Sequence, residues 1–201
     1  MSKYDEAKKI YFYYNGNFFF MDREGDYEKY QAFNVPKTIE KEWTEELKDN
    51  YKKSIENEKN MQKFELSCNA LIRISSNTIN GLADINSLLF VYNIFMERRD
   101  CLDTYTIVKM IGVFFDDVGV KNFKKVSIIT TARILKETLE FLKSLLDKPI
   151  TISKDHEFFL KKPTNNDLKT QIRDDIQEYT KIYDQTVLDM LNANMKREIT
   201  T

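Results

Sequence analysis

A regular pattern of apolar positions between Asn122 and Leu146 predicts one long helix in the middle of a helical core. Apolar residues recur there in alternating steps of four and three, which keeps one face of an α-helix continuously apolar. They are Ile128, Ala132, Leu135, Leu139, Leu142 and Leu146. Further apolar residues widen this face, so we expect neighbouring elements to contact the helix from more than one side. These are Val126, Ile129, Ile134, Phe141 and Leu145.

The segment 9–21 consists of two aromatic-rich runs separated by Asn15 and Gly16. An Asn-Gly pair between two such runs is typical of a type I′ turn, because both central turn positions need a positive φ. The pattern therefore predicts an N-terminal aromatic β-hairpin. One face of the hairpin would carry four aromatic side chains, which are Tyr11, Tyr13, Phe18 and Phe20.

The four-aromatic face of this hairpin has two interpretations. Aromatic residues in strands usually pack in the core, in which case a loop or helix covers this face. An exposed face of this kind instead predicts a surface that binds a partner protein or a second copy of the chain.

The remaining apolar periodicity predicts helices along nearly the whole chain. Their expected bounds are approximately 36–57, 60–75, 84–98, 104–117, 122–147 and 165–196. The last helix has a narrow apolar stripe sustained over about four heptads, which suits helix pairing within the fold or between subunits. The predicted fold is mainly α, a helical bundle-like single domain over 1–201 with the aromatic hairpin at its N-terminus.

Composition supports a helical fold and excludes several classes of function. Gly 5 and Pro 3 are low counts for 201 residues, which favours a few long elements over many turns. Lys plus Arg (31) and Asp plus Glu (32) nearly cancel, so no global field would hold nucleic acid or an anionic membrane. No apolar run is long enough for a signal segment or a membrane span, and Cys68 and Cys101 suit thiols in a reducing compartment. The expected location is the cytoplasm.

Chemistry-bearing motifs are scarce, and the sequence favours a non-enzymatic function without a cofactor. The single histidine, His156, excludes a multi-histidine metal site, and we expect it to be an exposed loop residue. The five glycines are scattered singly, so no phosphate-binding loop is present. A GxSxG nucleophile elbow and a CxxC pair are also absent from the sequence.

Carboxylate pairs three residues apart on helices leave one enzymatic alternative, an all-α nucleotide hydrolase that uses Mg²⁺. The i,i+3 spacing places two carboxylates on one helix face, where they can bind a hard cation. The candidates are Glu42 with Glu45, Glu97 with Asp100, and Glu137 with Glu140. With 32 acidic residues in a mostly helical chain, such pairs also arise by chance as solvated faces.

A local cluster of basic residues supports nucleic-acid binding as a second alternative. Lys121, Lys124 and Lys125 lie at the predicted start of the central helix, where positive charge opposes the helix dipole. If they converged in space they could contact phosphate, with Phe123 available for stacking. Alternatively, these three residues are ordinary surface lysines without a binding role.

The function that the sequence favours is a non-catalytic, cytosolic protein-interaction or regulatory module. Its expected partner is another protein or a second copy in a homo-oligomer, with no membrane, and nucleic acid remains an alternative. The Lys-, Asn- and Ile-rich composition is typical of AT-rich Gram-positive bacteria and of their phages or mobile elements.

Overall fold

The described part of the chain is helical. The computed structural model describes residues 3–76, 83–115, 127–156 and 163–199, with side chains described up to residue 193. No strand occurs among these residues. The helices are α1 (Asp5–Tyr13), α2 (Phe18–Arg23), α3 (Tyr27–Ala32), α4 (Lys37–Asn57), α5 (Met61–Ser76), α6 (Ile85–Arg98), α7 (Thr104–Gly112), α8 (Ile128–Leu145) and α9 (Asn165–Ile199).

The predicted N-terminal β-hairpin is wrong, because the segment forms helices α1 and α2. Asn15 and Gly16 do have the positive φ that the Asn-Gly pair predicts, at 52° and 69°. Their amides close the end of α1: Gly16 N–H donates to the carbonyl of Tyr11 at 2.8 Å, and Asn15 N–H donates to that of Phe12 at 3.1 Å. This pair of bonds is a Schellman motif, in which a left-handed residue ends a helix. The Asn-Gly signal therefore terminates a helix here instead of joining two strands.

Helical spacing of the apolar residues explains why this segment forms α1 rather than a strand. Ala7 and Tyr11 are four residues apart, lie on one face and are both buried. An isolated two-stranded hairpin has only marginal stability in water, and here it would present two aromatic faces that other elements would have to cover. Short helices need to bury only one face each. Asp5 and Glu6 in the first turn match the helix dipole. Asn17 then caps α2 by accepting a hydrogen bond from the Phe20 amide.

The contacts divide the chain into two compact units, and the first comprises Met1–Lys59 and Leu66–Ile94. Its core is an aromatic cluster in which α1, α3 and α4 meet. The buried members are Ala7, Tyr11, Met21, Tyr30, Trp43, Leu47 and Ile74. Trp43 and Leu47 are four residues apart along α4, a spacing that places both on one helix face, and both are buried.

A buried lysine joins α4 to the start of α6 within the first unit. Lys48 is almost fully buried, and its Nζ donates to Glu45 and to Asp84, each at 2.9 Å. Asp84 also accepts hydrogen bonds from the amide and hydroxyl of Ser87, so it caps α6. Burial opposes the charge of Asp84, but the hydrogen bonds from Lys48 and Ser87 outweigh it and lower the pKa of the carboxyl.

The second unit comprises Asn60–Glu65 and Phe95–Thr201, and the pairing of α8 with α9 dominates it. The buried apolar residues of α8 are Ile134, Leu135, Leu139, Phe141, Leu142 and Leu145. Ser127 caps this helix through the Thr130 amide, and Lys169 of α9 donates to the carbonyl of Leu146 just beyond its end. The predicted central helix is present from Ile128 to Leu145, although its expected apolar residue Ile129 is exposed.

The prediction of a single domain over 1–201 stays a prediction beside this division into two units. The long helices predicted at 36–57, 60–75 and 84–98 lie at Lys37–Asn57, Met61–Ser76 and Ile85–Arg98. The helix predicted at 104–117 ends at Gly112 and continues as a π-helical turn over 113–115. In the part of the chain that the structure describes, no helix has an 18-residue window apolar enough to span a membrane.

Candidate functional site

A cavity of about 490 Å³ opens in the first unit beside the junction of α1 and α2. This volume lies within the range of about 300–1,000 Å³ that is usual for ligand sites in proteins. Its lining comes from α1, the α1–α2 turn, α2, α4 and α5. The lining residues are Tyr11, Tyr14, Asn15, Gly16, Asn17, Phe18, Phe20, Lys37, Glu40, Thr44, Ala70, Arg73 and Ile74.

Packed aromatic rings make one wall of the cavity rigid. The Tyr11 ring lies 5.6 Å from that of Trp43 and 6.2 Å from that of Phe18, measured between centroids. Phe18 also contacts the ring of Tyr30 at 5.7 Å. Rings at these separations and angles attract one another beyond the area that they bury. The wall is therefore preformed.

The polar groups of this aromatic wall are engaged in hydrogen bonds inside the unit. The Tyr11 hydroxyl pairs with the Thr44 hydroxyl at 2.8 Å, and the Tyr51 hydroxyl donates to the Asn15 side chain at the same distance. Burial raises the pKa of Tyr11. A hydrogen bond to Asp26 raises the pKa of Tyr14 to about 12. These phenols stay protonated at neutral pH and act as structural donors.

The carboxylate of Glu40, which lies on the cavity wall, also has a hydrogen-bond partner inside the unit. It accepts a hydrogen bond of 2.7 Å from the Tyr30 hydroxyl. Burial, together with this bond, raises the pKa of Tyr30. The bond joins α3 to α4 and helps to hold the aromatic wall in place.

Two cations remain at the edge of the cavity. Lys37 at the start of α4 and Arg73 on α5 line it, and both are exposed. Among the described residues, no carboxylate lies within ion-pair distance of either one. Lys37 also lies in the first turn of α4, where positive charge opposes the helix dipole. The charged lining residues are Lys37, Arg73 and Glu40, two cations and one carboxylate, so an anionic group brought to this edge would meet a net charge of +1.

Exposed aromatic side chains flank the cavity, and we call Tyr13, Phe18 and Phe19 the α1–α2 aromatic surface. Tyr13 is 79% exposed, Phe19 is 70% exposed and Phe18 is 38% exposed. The ring of Tyr13 contacts that of Tyr14 at 4.8 Å, and the ring of Phe19 contacts that of Phe20 at 5.5 Å. Tyr14 and Phe20 line the cavity, so Tyr13 and Phe19 are each one ring removed from it, and Phe18 lines it directly.

The structure separates the four aromatic residues that the hairpin would have placed on one face. Tyr11 is buried in the core, Phe18 and Phe20 are partly covered, and Tyr13 is exposed. Tyr11, Phe18 and Phe20 all line the cavity, whereas Tyr13 lies outside its lining. Period-two alternation assigned Phe19 to the opposite face, so it was missed.

Lys37 and Arg73 were also missed as site residues. Each is an ordinary charged residue in sequence, and they lie on different helices. The sequence signal that was available is the positive charge of Lys37 in the first turn of a helix, which has no evident benefit for the helix itself.

The three predicted carboxylate pairs occupy different surroundings. Glu42 and Glu45 line a shallow groove of α4, where Glu45 pairs with Lys48. Asp100, Glu137 and Glu140 line a second cavity of about 550 Å³, which Glu97 does not line. Glu137 pairs with Arg133 at 3.2 Å and Glu140 with Lys136 at 4.0 Å, in each case along α8. No group of three or more metal-ligating side chains occurs among the described residues.

The predicted nucleic-acid residues Lys121, Lys124 and Lys125 lie outside the described residues. Nucleic-acid binding by this segment therefore stays a prediction.

His156 is buried in the second unit, so its prediction as an exposed loop residue is wrong. It is 4% exposed, with its Nε2 2.9 Å from the Thr106 hydroxyl and 3.3 Å from Asp103 Oδ2. Its Nδ1 lies 4.0 Å from a carboxylate oxygen of Glu65, and its ring stacks edge-on against Tyr105 at 4.8 Å. Contacts across about fifty residues of sequence hold it there, and no local pattern reveals them.

The His156 cluster has the contacts of a structural clamp. Thr106 and Asp103 both approach Nε2, while a Glu65 carboxylate oxygen lies 4.0 Å from Nδ1. The Thr106 hydroxyl is fully buried and already donates to Asp103, which caps α7. Nearby, Thr104 and Thr151 exchange backbone-to-hydroxyl bonds of 3.1 and 3.0 Å. These bonds fasten the segment 151–156 to the start of α7.

Comparisons with known proteins identify no relative of this chain. No protein-family model matches the chain, no curated protein matches it and no solved structure matches it. A functional proposal therefore rests on the cavity, the exposed aromatic rings and the two cations of the first unit.

Proposed function

We propose that this protein is a non-catalytic, cytoplasmic protein-interaction module and that the α1–α2 aromatic surface binds another protein. The observation that carries the proposal is the exposure of Tyr13 and Phe19 on short helices whose other faces are packed into an aromatic core. Large aromatic side chains on a rigid support are the residues that dominate binding energy at protein interfaces.

The rigidity of the support strengthens this proposal. Tyr11 and Met21 anchor α1 and α2 in the core, while Asn15 and Gly16 fix the turn between them. Exposed aromatic rings on such a support lose little conformational entropy when a partner covers them. A flexible loop carrying the same rings would lose more.

Free thiols support the cytoplasmic part of the proposal. Cys68 is buried, Cys101 is exposed, and both are thiols rather than halves of a disulfide. An exposed thiol is compatible with a reducing compartment, where oxidation is suppressed.

The proposal is tested by capture from a lysate of the cells that encode the protein, with nuclease added. Three baits are compared: the wild type, the double variant Tyr13→Ser with Phe19→Ser, and Ile129→Ser as a control. Ile129 is 68% exposed and lies in the second unit, so it matches the chemistry of the change at another place. We expect a protein retained by the wild type and the control and lost from the double variant. Equal retention by all three baits would contradict the proposal.

The alternatives give different results in the same preparation. Sedimentation equilibrium of the purified chain detects a homo-oligomer, and a dimer abolished by Tyr13→Ser with Phe19→Ser would assign the surface to a second copy. Binding that disappears with nuclease and falls steeply with salt would instead favour nucleic acid. A rise in melting temperature with Mg²⁺ would favour the carboxylate-based hydrolase.

A further inference from the structure

We propose that the cavity beside α1 and α2 accepts an aromatic side chain of the partner protein, with an adjacent acidic residue paired to Lys37 and Arg73. The inference rests on the proposed function and names the chemistry that the partner must present. It concerns the cavity, whereas the test of the proposed function concerns the exposed rings of Tyr13 and Phe19, which do not line it.

The walls of the cavity favour an aromatic occupant. Tyr11, Phe18 and Phe20 present rings to it, and Ala70 and Ile74 of α5 complete its apolar lining. A partner ring entering this space would find neighbours with which edge-on or offset contacts can form. The exposed rings of Tyr13 and Phe19 contact the rings of Tyr14 and Phe20, which line the cavity, so a partner that covers the exposed rings would also lie close to the cavity.

The charges at the edge favour an acidic group beside that ring. The hydroxyls of Tyr11 and Tyr14 and the carboxylate of Glu40 already have partners inside the unit. Lys37 and Arg73 are the lining residues with positive charge, and no described carboxylate pairs with them. Together with the carboxylate of Glu40 the lining carries a net charge of +1, which favours an anion, and the guanidinium of Arg73 can hold a carboxylate through two hydrogen bonds.

The probes are three capped dipeptides added at millimolar concentration to the isotopically labelled full chain: acetyl-Phe-Glu-amide, acetyl-Phe-Lys-amide and acetyl-Ala-Glu-amide. Amide chemical shifts are recorded by NMR. We expect acetyl-Phe-Glu-amide to change the amide chemical shifts of Gly16, Arg73 and Ile74. The other two probes should bind more weakly by about fivefold or more, because each lacks one of the two contacts. Absence of shifts, or equal shifts with the Phe-Lys probe, would overturn the proposal.

Charge-reversal variants test the acidic contact separately. Lys37→Glu and Arg73→Glu change exposed side chains, so both variants are expected to fold, which their melting temperatures check. Lys41→Glu is the control, because Lys41 is exposed on the same helix and lines a different groove. We expect the first two variants to weaken binding of the Phe-Glu probe and Lys41→Glu to leave it unchanged. Equal binding by all three variants would overturn the role of the two cations.

The outcome is separable from that of the proposed function. Loss of the captured protein in the Tyr13 and Phe19 double variant, together with no response to any dipeptide, would overturn the cavity proposal and leave the interaction surface standing. Failure of the capture experiment would remove the interaction surface itself.

Discussion

The amide of Gly16 donates to the carbonyl of Tyr11 at 2.8 Å, and the Tyr11 ring occupies the space that a side chain at position 16 would need. A Cβ at position 16 would lie 2.7 Å from both the ring and its hydroxyl oxygen. The same glycine has a φ of +69° and, with Asn15 at a φ of +52°, forms the Schellman motif that ends α1 before α2. This one contact thus fixes both the turn and the ring that forms the cavity wall.

Gly16→Ala is predicted to lower the free energy of unfolding by about 2–3 kcal/mol, because a positive φ and a clash with Tyr11 both penalise the methyl group. The matched control is Gly25→Ala, where φ is +84° and nothing lies within 4 Å of the new Cβ. That control should cost only the backbone strain, about 1 kcal/mol. Urea unfolding of both variants measures the difference, and equal costs would show that the contact with Tyr11 is unimportant.

Lys48→Met is predicted to destabilise the protein by about 2 kcal/mol at pH 7, since it leaves the half-buried carboxylate of Asp84 without its ammonium partner. Asp84 has a pKa below its usual value, so its contribution is present above that usual value and is lost as pH falls through the lowered pKa. The difference between wild type and variant should therefore shrink below about pH 4.

Chemical unfolding at several pH values tests the role of the Lys48–Asp84 pair. A difference that stays constant down to low pH would show that the pair does not contribute through charge. Lys52→Met is a suitable control, because Lys52 lies 4.0 Å from exposed Asp49 and should cost well under 1 kcal/mol.

His156→Ala is predicted to cost about 2–3 kcal/mol, because it removes a buried ring and the partner of Thr106 and Asp103. The control is Lys154→Ala. Lys154 lies two residues earlier and its side chain is exposed, so this substitution should change the free energy of unfolding by less than about 0.5 kcal/mol. Thermal unfolding of the two variants provides the comparison. If the two alanine variants have the same melting temperature, the contacts of His156 do not stabilise the second unit.

Phe19→Ser should leave the free energy of unfolding within about 0.5 kcal/mol of the wild type, because its side chain is largely exposed. Met21→Ala should instead cost about 2–5 kcal/mol, because Met21 is fully buried in the same short helix. Phe18→Ser should fall between them, since Phe18 contacts Tyr11, Tyr27 and Tyr30 while remaining partly exposed. Urea unfolding orders the three variants, and a large loss for Phe19→Ser would place that ring in the core.

Helical periodicity over long segments was enough to predict α4, α5, α6, α8 and α9, because many apolar positions repeat on one face. The β-hairpin prediction for the N-terminal segment was wrong for a physical reason. Asn15 and Gly16 supply the same positive φ to a hairpin turn and to a Schellman motif, and the flanking runs are too aromatic for alternation to be distinguished from a helical repeat. The acidic residues of the first turn, Asp5 and Glu6, were the local signal for a helix.

The candidate site was predictable only in part. The aromatic density of 9–21 led to the prediction of a partner-binding surface, which stays a prediction, and Tyr11, Phe18 and Phe20 from this segment line one cavity. Arg73 arrives from α5, more than fifty residues away, so no local pattern could associate it with that segment. His156 is a second case, because its burial depends on Asp103 and Thr106 of a distant helix.

The most direct test of the interaction surface is a calorimetric titration of the captured partner into the wild type, the Tyr13→Ser and Phe19→Ser double variant, and Ile129→Ser. The dissociation constant should rise by about tenfold or more for the double variant, as for the loss of aromatic residues that dominate an interface. It should be unchanged for Ile129→Ser. Equal dissociation constants for all three proteins would contradict the assignment of the α1–α2 aromatic surface as the binding site.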